Sequence, residues 1–351
     1  MVTGALAAAG FAAGALLPPR PAFASEQLTI ISWGGGYQDV QLRKSFFEPF
    51  TKATGIKITE DQWNGEVSKV RAMVQTNTVN WDVLDVGVGI GELCSHGLVE
   101  TLNWNRLGLD RTKFLGDDKT LDCGVPHHAS STVIAYDRTK LKNGPKTIAD
   151  FFDLQKFPGK RAMQKGPTSN LEWALVADGV LIKDVYKVLA TPAGVDRAFK
   201  KLDTIKKDVI WWTAGTQPAQ LLGNGQVVMS TAWSGSINNA VKESGLPLEI
   251  MWDAQMLSLD FWVIPKGARH LDEAYKFLAF GGSPKPQADM TRYGNNGPAN
   301  KDAMALVDPT IGPNLTTSPA HMANSLEFDY SFWGDKRDEL NQRFTAWVVQ
   351  Q

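Results

Sequence analysis

Charge of one sign, cysteine and long apolar runs are all scarce in this chain of 351 residues. Lys plus Arg number 36 and Asp plus Glu 37, for a formal net charge of −1. That balance gives neither the basic footprint of a nucleic-acid binder nor a polybasic segment for a membrane surface. Only two cysteines occur, and no histidine stands at ligand spacing from them, which makes a zinc site a poor reading. Gly-x-Ser-x-Gly and His-Glu-x-x-His are both missing, and the glycines from Gly87 to Gly91 lack the third member of a dinucleotide fingerprint. No cofactor and no metal is expected. No low-complexity stretch and no fixed-period repeat is found. Beyond the first residues, no apolar run approaches the roughly 20 residues of a membrane span.

The chain is too long for one ordinary core, so two lobes are expected. Residues 1–17 are uncharged and rich in Ala, Gly and Leu, and Ala22-Phe23-Ala24 follows as a small-x-small site. This reads as a secretory signal peptide over residues 1–24, cleaved after Ala24, although no Lys or Arg precedes the apolar run. A periplasmic location follows. In an oxidising compartment Cys94 and Cys123 read as a disulfide, against the alternative of two free thiols.

One stretch organises the rest. Leu28 to Ser32 has strand character, Trp33-Gly34-Gly35-Gly36-Tyr37 follows as a glycine turn, and Val40 to Thr54 carries an apolar stripe at helical spacing. Strand, helix, strand, helix, strand through Trp81–Val86 is the pattern of a parallel sheet covered on both faces. Trp33 and Tyr37 then sit at the carboxyl end of a first strand, where open α/β sheets hold ligands. From this stretch alone, Trp33 as a core plug remains open. Val209–Trp212 and Gln226–Trp233 repeat the design, an apolar strand with an aromatic at its end and a small polar turn after it. The extended runs Gly124–Asp137 and Leu257–Gly267 are candidate crossovers between lobes.

In order and spacing, Ser32-Trp33-Gly34-Gly35, Trp81-Asp82-Val83-Leu84-Asp85, Val133-Ile134-Ala135-Tyr136-Asp137, Ala232-Trp233-Ser234-Gly235 and Asp260–Gly267 resemble the substrate-binding proteins of bacterial ABC importers. Within that family the chain is most similar to the spermidine/putrescine-type group of extracellular solute-binding family 1. The resemblance implies an α/β, type II periplasmic binding protein fold: two lobes with mixed sheets, crossover strands and a ligand cleft between them. Residues 25–134 plus 261–306 would form the first lobe and 135–260 plus 307–351 the second. It implies a monomeric receptor, not an enzyme, that closes on a small cationic solute and delivers it to a permease driven by a cytoplasmic ATPase. By position, Trp33, Trp233 and Tyr293 match aromatic walls, and Glu172 and Asp260 match carboxylates that pin ammonium groups. Gly34, Gly35, Tyr37, Gly87, Ser131 and Gln217 complete the candidate site at strand ends.

Two departures bear on the ligand. Gly34-Gly35-Gly36 stands where the spermidine-type proteins place a carboxylate, and Gly87 and Gly89 stand where they place Ser and Tyr. Fewer anionic groups point to a smaller or less charged ligand, so a receptor for an amino-acid derivative or small organic acid is the alternative. An iron(III) receptor is disfavoured because the six tyrosines are scattered. A secreted hydrolase using His127 and His128 is disfavoured because neighbours in a strand point to opposite faces.

Overall fold

The two expected crossovers are the longest strands of the molecule and pair with each other. In this computed structural model, which describes residues 27–350 with Met1 before them, one mixed sheet runs through both lobes. Its strands are β1 (Gln27–Ser32), β2 (Lys57–Gln62), β3 (Val83–Val86), β4 (Gly124–Asp137), β5 (Arg161–Gln164), β6 (Val209–Trp212), β7 (Met229–Trp233), β8 (Leu248–Val263), β9 (Gly297–Pro298) and β10 (Leu326–Glu327). Along the sheet the order is β2-β1-β3-β8-β4-β7-β5-β6, with β10 added beside β8 and β9 beside β4. The expected leader lies outside the described residues. The second crossover begins at Leu248, nine residues before the apolar run that marks it in the sequence, and ends at Val263.

Strand direction fixes where a ligand can go. β1 is parallel to β3, and both β3 and β4 are antiparallel to β8, so β1, β3 and β4 share one sense. β7 is antiparallel to β4 and parallel to β5, which is parallel to β6. The carboxyl ends of the two parallel sets therefore point at each other. Val86 of β3 lies level with Phe261 and, through it, with Pro126; Trp233 of β7 lies level with Thr132. Six residues of β4, about 20 Å at 3.3 Å per residue, separate the two levels.

The crossover pair is not a plain ladder. Pro126 faces Phe261 and His128 faces Asp260, so His127 is an extra residue bulged out of β4. A larger irregularity follows where Thr132 faces Met256 and Ile134 faces Met251, and there Ala254 adopts a left-handed φ of 52°.

Apolar helix faces cover both sides of this sheet. The segment after β1 begins at Tyr37–Phe47 with the wide winding of a π-helix, seen where the Glu48 N–H donates to the Arg43 carbonyl, and tightens to an α-helix over Glu48–Thr54. It buries Leu42, Phe46, Phe47 and Phe50 against Trp262 and Phe277. In the other lobe the helix Pro192–Asp203 opens on a Thr191 cap, whose hydroxyl accepts from the Gly194 N–H, and buries Val195, Ala198, Phe199 and Leu202. The last helix, Tyr330–Val349, packs Trp333 and Phe344 into the main core. Cys94 and Cys123 are joined, with Cα atoms 5.9 Å apart. Among the described residues no helix is long and apolar enough to cross a membrane.

Candidate functional site

Each lobe presents one exposed tryptophan at the carboxyl end of a strand. Trp33 follows β1 and is 39% exposed; Trp233 ends β7 and is 44% exposed. Both sit in the same way. A Cβ on Gly65 would come 3.1 Å from the Trp33 ring, and one on Gly215 would come 2.4 Å from that of Trp233. A second tryptophan braces each: Trp63 stands 5.5 Å from Trp33, and Trp212 meets Trp233 edge-to-face at 5.8 Å. The braces are themselves pinned, Trp63 Nε1 donating to the Asp85 main-chain oxygen and Trp212 Nε1 to Thr231 Oγ1. Large indole faces so held are exposed at low entropic cost.

Beside Trp33 lies Asp260, whose side chain is 15% exposed and accepts a hydrogen bond from the Trp33 indole. Its Oδ1 would be 2.8 Å from a Cβ on Gly87, so glycine at the end of β3 leaves the carboxylate its place. Gly34 and Gly35 take left-handed φ values of 72° and 60°, and a Cβ on Gly34 would strike the Gln62 side chain. Here the turn after β1 requires glycine on both counts.

Behind Asp260 a polar cluster continues into the first lobe. Asp260 Oδ2 is 3.0 Å from His128 Nε2, His128 Nδ1 is 3.2 Å from His127 Nδ1, and His127 Nε2 is 3.0 Å from Asp85 Oδ1. Tyr37 donates its hydroxyl to Asp85 Oδ2 at 2.9 Å and stands 3.4 Å from His128 Nδ1. The His127 ring lies flat on Trp262 at 4.1 Å. Adjacent histidines therefore do share one site, contrary to the alternation expected of a strand. The bulge at His127 is the reason, because it breaks the up-down parity and turns the two rings together.

Burial and the Asp260 charge push the Asp85 carboxyl well above its ordinary value, and burial with the neighbouring His128 pushes His127 well down. Burial raises Tyr37, and the Asp85 and Asp260 charges add to it. For Asp260 burial acts upward, but the charge and hydrogen bond of His128, with His127 and Trp33, outweigh it and keep the carboxyl below its usual range. Asp260 is thus the resident anion of the site. Among the described residues no group of three or more His, Cys, Asp or Glu is placed to hold a metal ion.

The other candidates fall elsewhere. Glu172 is fully buried in the second lobe, where Oε1 accepts from Trp333 Nε1 at 2.7 Å and from Tyr186 Oη at 3.1 Å. Ser131 is buried and donates to Gln255 Oε1 at 2.6 Å, and Gln217 Oε1 accepts the N–H groups of Thr213 and Ala214 in its own turn. Tyr293 is exposed, in the turn after the helix Pro284–Met290. Asp85 and Trp63 are not among the site residues expected from sequence, and His128 figures there only in the disfavoured hydrolase reading. A signal for Asp85 is present in the sequence, since it is an acidic residue inside an apolar strand that stops just before Gly87.

Residues 45–323 match the family described as "Bacterial extracellular solute-binding protein". The gamma-aminobutyric acid-binding protein of Pseudomonas aeruginosa is 41% identical over 327 residues, 93% of this chain and 92% of that one. The putrescine-binding periplasmic protein PotF of Escherichia coli strain K12 is 23% identical over 85% of each chain. Among solved structures, that of the Atu4243 GABA receptor superposes with a TM-score of 0.81 at 35% identity, covering 93% of this chain and 98% of that one. A two-lobed fold, a pair of indoles at opposed strand ends and these matches agree, and the chain belongs to the bacterial extracellular solute-binding proteins, the substrate receptors of ABC transporters.

Proposed function

We propose that this receptor takes up an ω-amino acid of the γ-aminobutyrate type in the periplasm, closes its lobes on it without converting it, and presents it to an ABC permease. The ligand's ammonium group sits on Asp260 under the Trp33 ring, and its carboxylate lies toward the second lobe. The observation that carries this reading is that the site offers one resident carboxylate rather than two, since Glu172 is held inside by Trp333 and Tyr186. A diammonium ligand needs an anion at each end; an amino acid needs only one. On the far side, the helix Ser234–Ser244 starts directly after Trp233, with the Ser234 hydroxyl and Asn238 Nδ2 buried without partners among the described residues. Free donors at the positive end of a helix suit a carboxylate. The likeness to two γ-aminobutyrate binders at 41% and 35% identity supports the amino-acid class, and the polyamine class expected from sequence has the 23% relative behind it.

Thermal shift against γ-aminobutyrate, putrescine and spermidine tests the ligand class. γ-Aminobutyrate at a hundredfold excess over its Kd is expected to stabilise the protein by about 2.7 kcal/mol. Stabilisation by putrescine alone would return the ligand to the polyamines, and mass spectrometry showing a changed ligand would make the protein an enzyme. Trp33→Ala is expected to weaken γ-aminobutyrate binding by about 1–2 kcal/mol, roughly five- to thirtyfold, through loss of the cation–π face. Calorimetric titration of the variant checks it.

A further inference from the structure

The chain of contacts behind Asp260 allows only certain placements of its protons. Between His128 Nδ1 and His127 Nδ1, 3.2 Å apart, one nitrogen must donate and the other accept. His128 Nε2 faces the ionised Asp260 and must donate. If Asp85 is ionised, His127 donates from Nε2, leaves Nδ1 as an acceptor, and His128 then carries both protons as an imidazolium. If Asp85 is protonated it donates to His127 Nε2, His127 donates from Nδ1, and His128 is neutral. Both arrangements hold the same number of protons and supply one donor to each of the His127–His128, His128–Asp260 and His127–Asp85 contacts. They differ in charge separation: in the first His128 is a cation and Asp85 an anion, and in the second both are neutral.

We propose that His128, His127 and Asp85 form a proton relay that clears positive charge from the ammonium site when a ligand arrives. In the empty site His128 is the cation paired with Asp260. As an ammonium group settles on Asp260, the His128 Nδ1–H bond breaks and a His127 Nδ1–H bond forms, while the His127 Nε2–H bond breaks and an Asp85 Oδ1–H bond forms. One proton has moved inward through His127 and none has left the protein. The inference rests on the amine reading of the site.

The groups that face His128 fit this role. Tyr37, from the helix after β1, keeps its proton and donates to the other Asp85 oxygen in both arrangements. The raised Asp85 carboxyl can accept a proton, and the depressed His127 stays neutral as the intermediary. The neighbouring β9, Gly297–Pro298, brings no titratable side chain. Phe46 meets the His127 ring edge-on while Trp262 stacks on its face, which keeps water from the relay. Asp85 and His127 are fully enclosed, so the transferred proton is kept from solvent.

Two measurements test it. Histidine ¹⁵N NMR of the whole protein should show His128 changing from imidazolium to neutral, and His127 changing its protonated nitrogen from Nε2 to Nδ1, on saturation with methylammonium. Unchanged tautomers would overturn the relay. Calorimetry with γ-aminobutyrate in buffers of different ionisation enthalpy, from pH 5.5 to 8, should find no net proton release and a nearly constant Kd for the wild type. Asp85→Asn should release a proton on binding and lose affinity as pH is lowered. Equal proton release from both proteins would also overturn the relay. A protein that shows the tautomer change with methylammonium but binds no γ-aminobutyrate keeps the relay and loses the proposed ligand.

Discussion

Asp260→Asn is expected to cut affinity for γ-aminobutyrate by at least about thirtyfold, and by up to a few thousandfold. The basis is the cost of removing one partner of an enclosed, hydrogen-bonded charge pair, about 2–5 kcal/mol. Asp260 is the anion on which Trp33, His128 and the space above Gly87 converge. Asn keeps the shape and an acceptor oxygen, so the loss reports charge rather than packing. Calorimetric titration gives the affinity and circular dichroism checks that the fold is kept. An unchanged Kd would show that the ammonium group goes elsewhere, and the ligand pose proposed above would fall with it.

Glu172→Gln is expected to stabilise the protein above neutral pH. Burial pushes the Glu172 carboxyl from 4.5 up to about 7, and the hydrogen bonds from Trp333 and Tyr186 only partly oppose it. One of its oxygens, Oε2, is buried without a partner among the described residues. Below about pH 4.5 the carboxyl is protonated whether the chain is folded or not, and it contributes no penalty. As pH rises toward 7 the unfolded chain ionises while the folded one holds its proton, so stability is lost through that window. Above it the full cost remains, about 3 kcal/mol for a rise of this size. Gln carries no charge, so wild type and variant should be closest near pH 4.5 and furthest apart above pH 7.5 in denaturant titrations. A constant difference across that range would mean that the carboxylate is better solvated than its enclosure implies.

The parts of this molecule that were legible from residues are those set by local pattern. The strand ending at Ser32-Trp33, the opposed strand ending at Trp233 and the two long crossovers all follow from apolar runs broken by glycine and serine. The resemblance then supplied the order in which those pieces join. What escaped was long-range. That Glu172 turns inward is decided by Trp333, 161 residues away, and that Trp63 braces Trp33 depends on how the chain after β2 folds back over β1. Tyr37 reads as a ligand contact from its place beside the glycines, and the long-range partner that accepts its hydroxyl hydrogen bond is Asp85. The pairing of His127 with His128 could not be read at all, because the extra residue in β4 is defined only against its partner β8.

That extra residue sets a constraint on how the chain can vary. Because alternate side chains of a strand face opposite ways, losing or gaining a single position between Pro126 and Ala129 would swap inside for outside along one flank of the crossover. Thr132, level with Trp233, and His128, level with Asp260, would no longer lie in step with the partners that fix the two rims of the opening. Length, and not only the identity of the two histidines, is what this short segment has to keep.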